Sequence, residues 1–124
     1  MNINVLVVEE SRQARKHIVR SLAEIGVSHV TEVADSDKAV NEFQQHQFDA
    51  ILIDWNLRTS AGVELIKEIR QLDKDVPIIL TGDQSDTQPA PDTNDPGPSD
   101  FLVKPFTNEI LRQKLEEYTT ASAS

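Results

Sequence analysis

The 124-residue sequence contains no cysteine, which excludes a disulfide framework and any zinc–thiolate centre and is compatible with a cytoplasmic protein. No apolar stretch approaches the roughly 20 residues that a membrane-spanning helix needs, and Met1-Asn2-Ile3 does not open a charged-then-apolar leader. No membrane role is expected. Basic residues are scarce: 12 Lys and Arg stand against 21 Asp and Glu, for a formal charge of -9. That balance argues against a nucleic-acid ligand, because phosphates need a Lys/Arg surface to displace their counterions. Glycine is also sparse, with four in the chain. The first strand-to-helix turn, Glu9-Glu10-Ser11-Arg12, has none and carries acid instead, so a flavin or dinucleotide site fits poorly.

What is present reads as one ordinary globular domain, with 38% hydrophobic and 27% charged residues. Ala50-Ile51-Leu52-Ile53 is a run of four aliphatic residues ending at Asp54. Such a run predicts a strand buried on both faces, the mark of a parallel sheet flanked by helices. Asn4 to Val8 is a second strand, stopped by Glu9-Glu10. Val27 to Val33, Pro77 to Thr81 and Phe101 to Lys104 predict three more. Between them the period changes to that of a helix. Ala14, Ile18, Val19, Leu22 and Ile25 form one stripe, with Arg12, Arg15, Lys16 and Arg20 largely outside it and Gly26 as the C-terminal cap. Ala39, Val40 and Phe43 give a second helix, and Val63, Leu65, Ile66, Ile69 and Leu72 a third. Thr107 caps a last one carrying Ile110, Leu111, Leu115 and Tyr118. Alternation of this kind predicts βαβ units in a doubly wound α/β sheet.

One connection breaks the alternation. From residue 83 to 96 there is no large apolar residue, Pro89, Pro91 and Pro96 interrupt the chain, and Asp83, Asp86, Asp92 and Asp95 have no basic partner nearby in sequence. A helix there would lose backbone donors and have no face to bury, so an irregular Pro/Asp-rich loop is predicted. Losing a helix should uncover apolar surface beside the fourth and fifth strands, and that face is the place to look for a homodimer.

In an open α/β sheet the carboxyl ends of the strands form the ligand crevice. Here they supply Glu9, Glu10, Asp54, Thr81 and Lys104. Carboxylates gathered there repel one another unless one protonates or a hard cation sits between them, and Mg²⁺ is the natural candidate. With an ammonium and a hydroxyl aimed at the same point, the set suits phosphoryl transfer, Asp54 being the nucleophile. His17, His29 and His46 have no ligand spacing and are expected on the surface. Trp55, beside the acid, offers an optical probe.

Val7-Val8-Glu9-Glu10-Ser11, Ile53-Asp54-Trp55-Asn56-Leu57, Gly62, Leu80-Thr81-Gly82 and the segment from Gly97 to Phe106 with its Lys104-Pro105-Phe106 occur in the order and spacing of a response-regulator receiver domain, which the chain resembles over nearly its whole length. The resemblance implies a flavodoxin-like five-stranded parallel sheet of order 2-1-3-4-5 over residues 1–118; the irregular loop stands where the family has its fourth helix, and the small, polar residues 119–124 are expected to form a flexible tail. It also implies that Asp54 is the phosphoacceptor, and that Glu10, Asp54 and the Asn56 backbone carbonyl ligate Mg²⁺ while Glu9 helps through a water. Thr81 becomes the switch hydroxyl, Lys104 the counter-ion and Phe101 the aromatic that changes rotamer. Lys104-Pro105 is expected to be cis. Two departures stand out: Glu10 is one methylene longer than the usual Asp, and Arg58 occupies a position where proline is usual.

The function expected is that of a phosphoacceptor signalling domain charged by a histidine kinase or a phosphotransfer protein, catalysing nothing beyond its own phosphoryl transfer and dephosphorylation. The alternative is a degenerate receiver acting as a phosphorylation-independent binding or dimerisation module. An Asp-nucleophile phosphatase fits worse, because that chemistry calls for a second Asp two residues on and the chain has Asn56.

Overall fold

The computed structural model describes residues 1–57, 62–85 and 97–123. Their order is β1 (Asn4–Val8), α1 (Arg12–Glu24), β2 (His29–Val33), α2 (Ser36–Gln45), β3 (Ala50–Asp54), α3 (Gly62–Leu72), β4 (Ile78–Gly82), β5 (Asp100–Val103) and α4 (Asn108–Ala123). The strands form one parallel sheet of order β2-β1-β3-β4-β5. This is the flavodoxin-like doubly wound sheet that the sequence implied. Among the described residues no helix joins β4 to β5; Asp83 to Ser85 leave β4 in a turn. The rest of the predicted Pro/Asp-rich loop, and Arg58, lie outside the described residues.

Strand parity divides the core. Leu6, Val8, Ile51, Ile53, Ile78 and Leu80 point to the layer of α2 and α3, where Leu65, Ile66 and Ile69 meet them. Val5, Val7, Leu52, Ile79 and Leu102 point the other way, onto Ile18 and Leu22 of α1 and Leu111 and Leu115 of α4. Most of these side chains are fully buried, and each contributes about 2 kcal/mol through the apolar area it removes from water. Both faces being covered explains why β3 and β4 read as continuous apolar runs rather than alternating ones.

The helix starts follow capping chemistry. Ser11 Oγ accepts from the Ala14 N–H at 3.3 Å, the Asp35 carboxylate from Lys38 N at 2.8 Å, and Thr107 Oγ1 from Ile110 N at 3.2 Å. Gly26 ends α1 at φ +92°, a conformation that suits glycine. The Lys104–Pro105 peptide is cis. Asp100, at the start of β5, accepts from Lys114 Nζ at 2.9 Å and from the Tyr118 hydroxyl at 3.1 Å, which braces α4 against the sheet.

Three expectations are corrected. Leu72 and Ile110, assigned to apolar helix faces, are 49% and 44% exposed, because each lies at the margin of its helix's buried stripe. In α4, which runs to Ala123, Thr119 is buried and its hydroxyl donates to the Leu115 carbonyl. β2 begins at His29 rather than Val27, since the Val27 N–H still closes α1 on the Leu22 carbonyl. The apolar surface expected beside β4 is not exposed, for Ile78 and Leu80 are fully buried; on that side of β5, Phe101 is half-buried and Val103 is 39% exposed.

Candidate functional site

The parity that builds the core also assembles the site. Val5 and Val7 lead to Glu9, Leu52 to Asp54, Ile79 to Thr81 and Leu102 to Lys104, all continuing on the α1/α4 side of the sheet. Register brings their strand ends level: Val8 pairs with Ile53, Asp54 with Thr81, and Thr81 with Leu102. These ends open into a polar crevice of about 820 Å³, lined by Glu9, Glu10, Asp54, Asn56, Asp83 and Lys104 among others.

Lys104 Nζ is the hub. It donates to Glu9 Oε1 at 2.7 Å and to Asp54 Oδ1 at 2.9 Å. Glu9 is buried, and its second oxygen, Oε2, accepts from the Ser11 N–H at 3.1 Å. Burial raises the pKa of Asp54 above the usual carboxylate range, with the Glu9 charge adding to the rise; the Lys104 bonds and the Asn56 backbone N–H pull against it without overcoming it. For Lys104 burial works against the charge, but the bonds to Glu9 and Asp54 prevail and hold the ammonium above its ordinary pKa.

Thr81 lies beside Asp54 in register but is buried, its hydroxyl directed at the Ile53 carbonyl over a long 3.4 Å. Phe101 sits on the opposite face, packed against the α2/α3 core. Glu10 and Asn56 line the crevice mouth. Gly62 is required by close approach: its N–H donates to the Trp55 carbonyl at 2.8 Å, and a Cβ there would collide with the Asp54 carbonyl oxygen.

The donor set is one of hard oxygens, which suits Mg²⁺, an ion that binds through one or two carboxylates and keeps several waters. Among the described residues no three His, Cys, Asp or Glu side chains gather closely enough to hold a metal by themselves. A cation held here would be completed by backbone carbonyl and water rather than by an all-protein cage. Glu9, with both oxygens engaged, is placed to hold Lys104.

Two arginines escaped the sequence reading. Arg15, assigned to the solvent side of α1, donates to the Glu9 and Glu10 carbonyls and pairs with Glu32. Arg70, 5% exposed, donates to the Val76 carbonyl at 2.7 Å and the Gly97 carbonyl at 2.8 Å. A charged residue on the apolar side of a helix was the available signal for Arg70, which follows Ile69 within the α3 stripe.

Comparison with known proteins agrees with this geometry. The sequence profile of the response regulator receiver domain matches residues 5–116. A chemotaxis protein CheY homolog from Campylobacter jejuni is 30% identical over 93% of this chain and 91% of its own length. The structure of the chemotaxis response regulator CheY4 of Vibrio cholerae superposes with a TM-score of 0.81 at 28% identity, covering 95% of this chain and 99% of that one. The receiver domain of a sensor histidine kinase from Pseudomonas aeruginosa, solved with magnesium coordinated in its active-site cleft, superposes with a TM-score of 0.80 at 29% identity, covering 97% and 99%. The chain belongs to the response-regulator receiver domains, the signalling modules of two-component systems.

Proposed function

We propose that this domain accepts a phosphoryl group on Asp54 from a histidine kinase or a histidine phosphotransfer protein. The observation that carries the reading is Lys104, held between Glu9 and Asp54 at the mouth of two strands, with the acceptor carboxylate facing a polar crevice. An Asp54 oxygen attacks phosphorus and forms the O–P bond as the P–N bond of the donor phosphohistidine breaks. The departing imidazole nitrogen takes up a proton from solvent.

Lys104 stays against the reacting oxygens and offsets their charge. Glu10, Asp54 and the Asn56 backbone carbonyl are the groups that would hold Mg²⁺, with Glu9 reaching it through water. When bound, that ion supplies further neutralisation of the transferring oxygens. The Thr81 hydroxyl then turns from the Ile53 carbonyl to the phosphoryl group, and Phe101 shifts with it on the far face. Return to the resting state is hydrolysis of the acyl phosphate, so the domain's own catalysis is confined to gaining and losing this one group.

Incubation with Mg²⁺ and a small phosphodonor, followed by intact mass, tests the reading. A single phosphate adduct is expected in the wild-type protein and none in Asp54→Ala. No adduct in either would leave the family fold serving as a phosphorylation-independent binding module. Steady consumption of donor without adduct would point to a phosphatase.

A further inference from the structure

We infer that Arg15 is a positioning residue of the acidic turn: by bridging the Glu9 and Glu10 carbonyls it sets where the two carboxylates sit, and so how tightly the crevice takes a divalent cation. The inference deepens the Mg²⁺ reading given above and rests on it.

β1 ends at Val8, yet Glu9 and Glu10 must leave the sheet in a defined conformation if their side chains are to serve one site. The Glu9 N–H still reaches the Val33 carbonyl at 3.1 Å. Beyond that point the carbonyl oxygens of residues 9 and 10 have run off the strand ladder. Both turn to one atom, Arg15 Nη1, at 2.9 Å from Glu9 O and 3.4 Å from Glu10 O. Two consecutive carbonyls tied to one group fix the orientation of both peptide planes. Fixing those planes fixes the directions in which the two acidic side chains leave the backbone.

The remaining face of the guanidinium is held as well, Nε donating to Glu32 Oε1 of β2 at 3.0 Å. Arg15 is 16% exposed, Glu32 45%. The fork of arginine lets Nη1 hold both carbonyls while Nε keeps Glu32; an ammonium is a point donor that could meet the carbonyls but not all three acceptors in this geometry. Groups that orient metal-binding residues from behind alter affinity by about 10- to 100-fold when removed. An exposed ion pair such as Arg15–Glu32 is worth far less on its own. The carbonyl bridge and the ion pair can therefore be told apart.

The experiment is titration of the wild-type protein, Arg15→Ala, Arg15→Lys and Glu32→Ala with Mg²⁺, read by Trp55 emission and by calorimetry, with circular dichroism to establish folding. Expected is a Kd about tenfold weaker in Arg15→Ala, partial recovery in Arg15→Lys, and near-wild-type affinity in Glu32→Ala. If Arg15→Ala does not fold, Arg15→Lys carries the comparison and should still bind more weakly than wild type. Unchanged affinity in the Arg15 variants, or a loss in Glu32→Ala as large as in Arg15→Ala, overturns the positioning role while leaving the metal reading intact. A wild-type protein that takes no Mg²⁺ overturns the metal reading, and the inference with it.

Discussion

Two cations hold opposite edges of this sheet with different partners. Lys104, at the carboxyl edge, is 26% exposed and touches the carboxylates of Glu9 and Asp54 at the wall of an open crevice. Arg70, at the amino edge, is nearly sealed and donates to the carbonyls of Val76 and Gly97, which lead the chain into β4 and β5. Charge facing charge beside solvent can be redistributed when a ligand arrives. A guanidinium bonded to backbone carbonyls fixes chain path, because the carbonyls of Val76 and Gly97 cannot move without disturbing the edge. Under the proposed function, chemistry belongs to one edge and chain placement to the other.

The sharpest test of that division is Lys104→Gln, which keeps a donor and removes the charge. Formation of the Asp54 adduct, followed by intact mass over time, should slow by about 100-fold. Arg70→Ala should behave in the opposite way. Stability should fall by about 3 kcal/mol as buried carbonyls lose their donor, measured by urea unfolding, while adduct formation by the folded fraction keeps its wild-type rate. Slowing in Arg70→Ala comparable to that in Lys104→Gln would collapse the distinction.

The smallest effect lies at Tyr118, the single tyrosine of the chain. Burial, reinforced by its bond to Asp100, pushes the phenol up to about 12. A raised pKa means that stability from this group is complete below the ordinary value of 10.0 and is lost as pH rises through about 12. Ultraviolet titration should find that midpoint, and Asp100→Asn should move it toward 10.0. A midpoint already at the ordinary value would show that the brace between β5 and α4 is absent in solution.

Most of the sheet was legible because β1, β3 and β4 announce themselves by apolar runs, whereas β2, His29–Val33, mixes polar and apolar residues and its start was misplaced. The site was legible for a related reason, since residues that end strands of one parallel sheet must arrive at one edge. Glu9, Glu10, Asp54, Thr81 and Lys104 could be listed before any coordinate. What stayed hidden was the reach of long side chains. Arg15 looks like a solvent-face residue in a helical stripe, and only the folded turn reveals two carbonyls within range of it. Arg70 likewise has its acceptors 6 and 27 residues away, a separation that no local pattern encodes. The pairing of Glu9 with Lys104 spans 95 residues, and nothing local in the sequence announces it.

Asp54 and Trp55 are consecutive, yet strand alternation sends the carboxylate toward the α1/α4 layer and the indole into the α2/α3 core. The Trp55 N–H is bound to the Thr81 carbonyl at 2.7 Å, so the backbones of these two strand ends are tied where they leave the sheet. The partition between the two layers is thus a single peptide thick at this point. Indole emission reports from behind that partition, and any change in it on loading Asp54 measures a disturbance that has already passed through the wall to the opposite compartment of the protein.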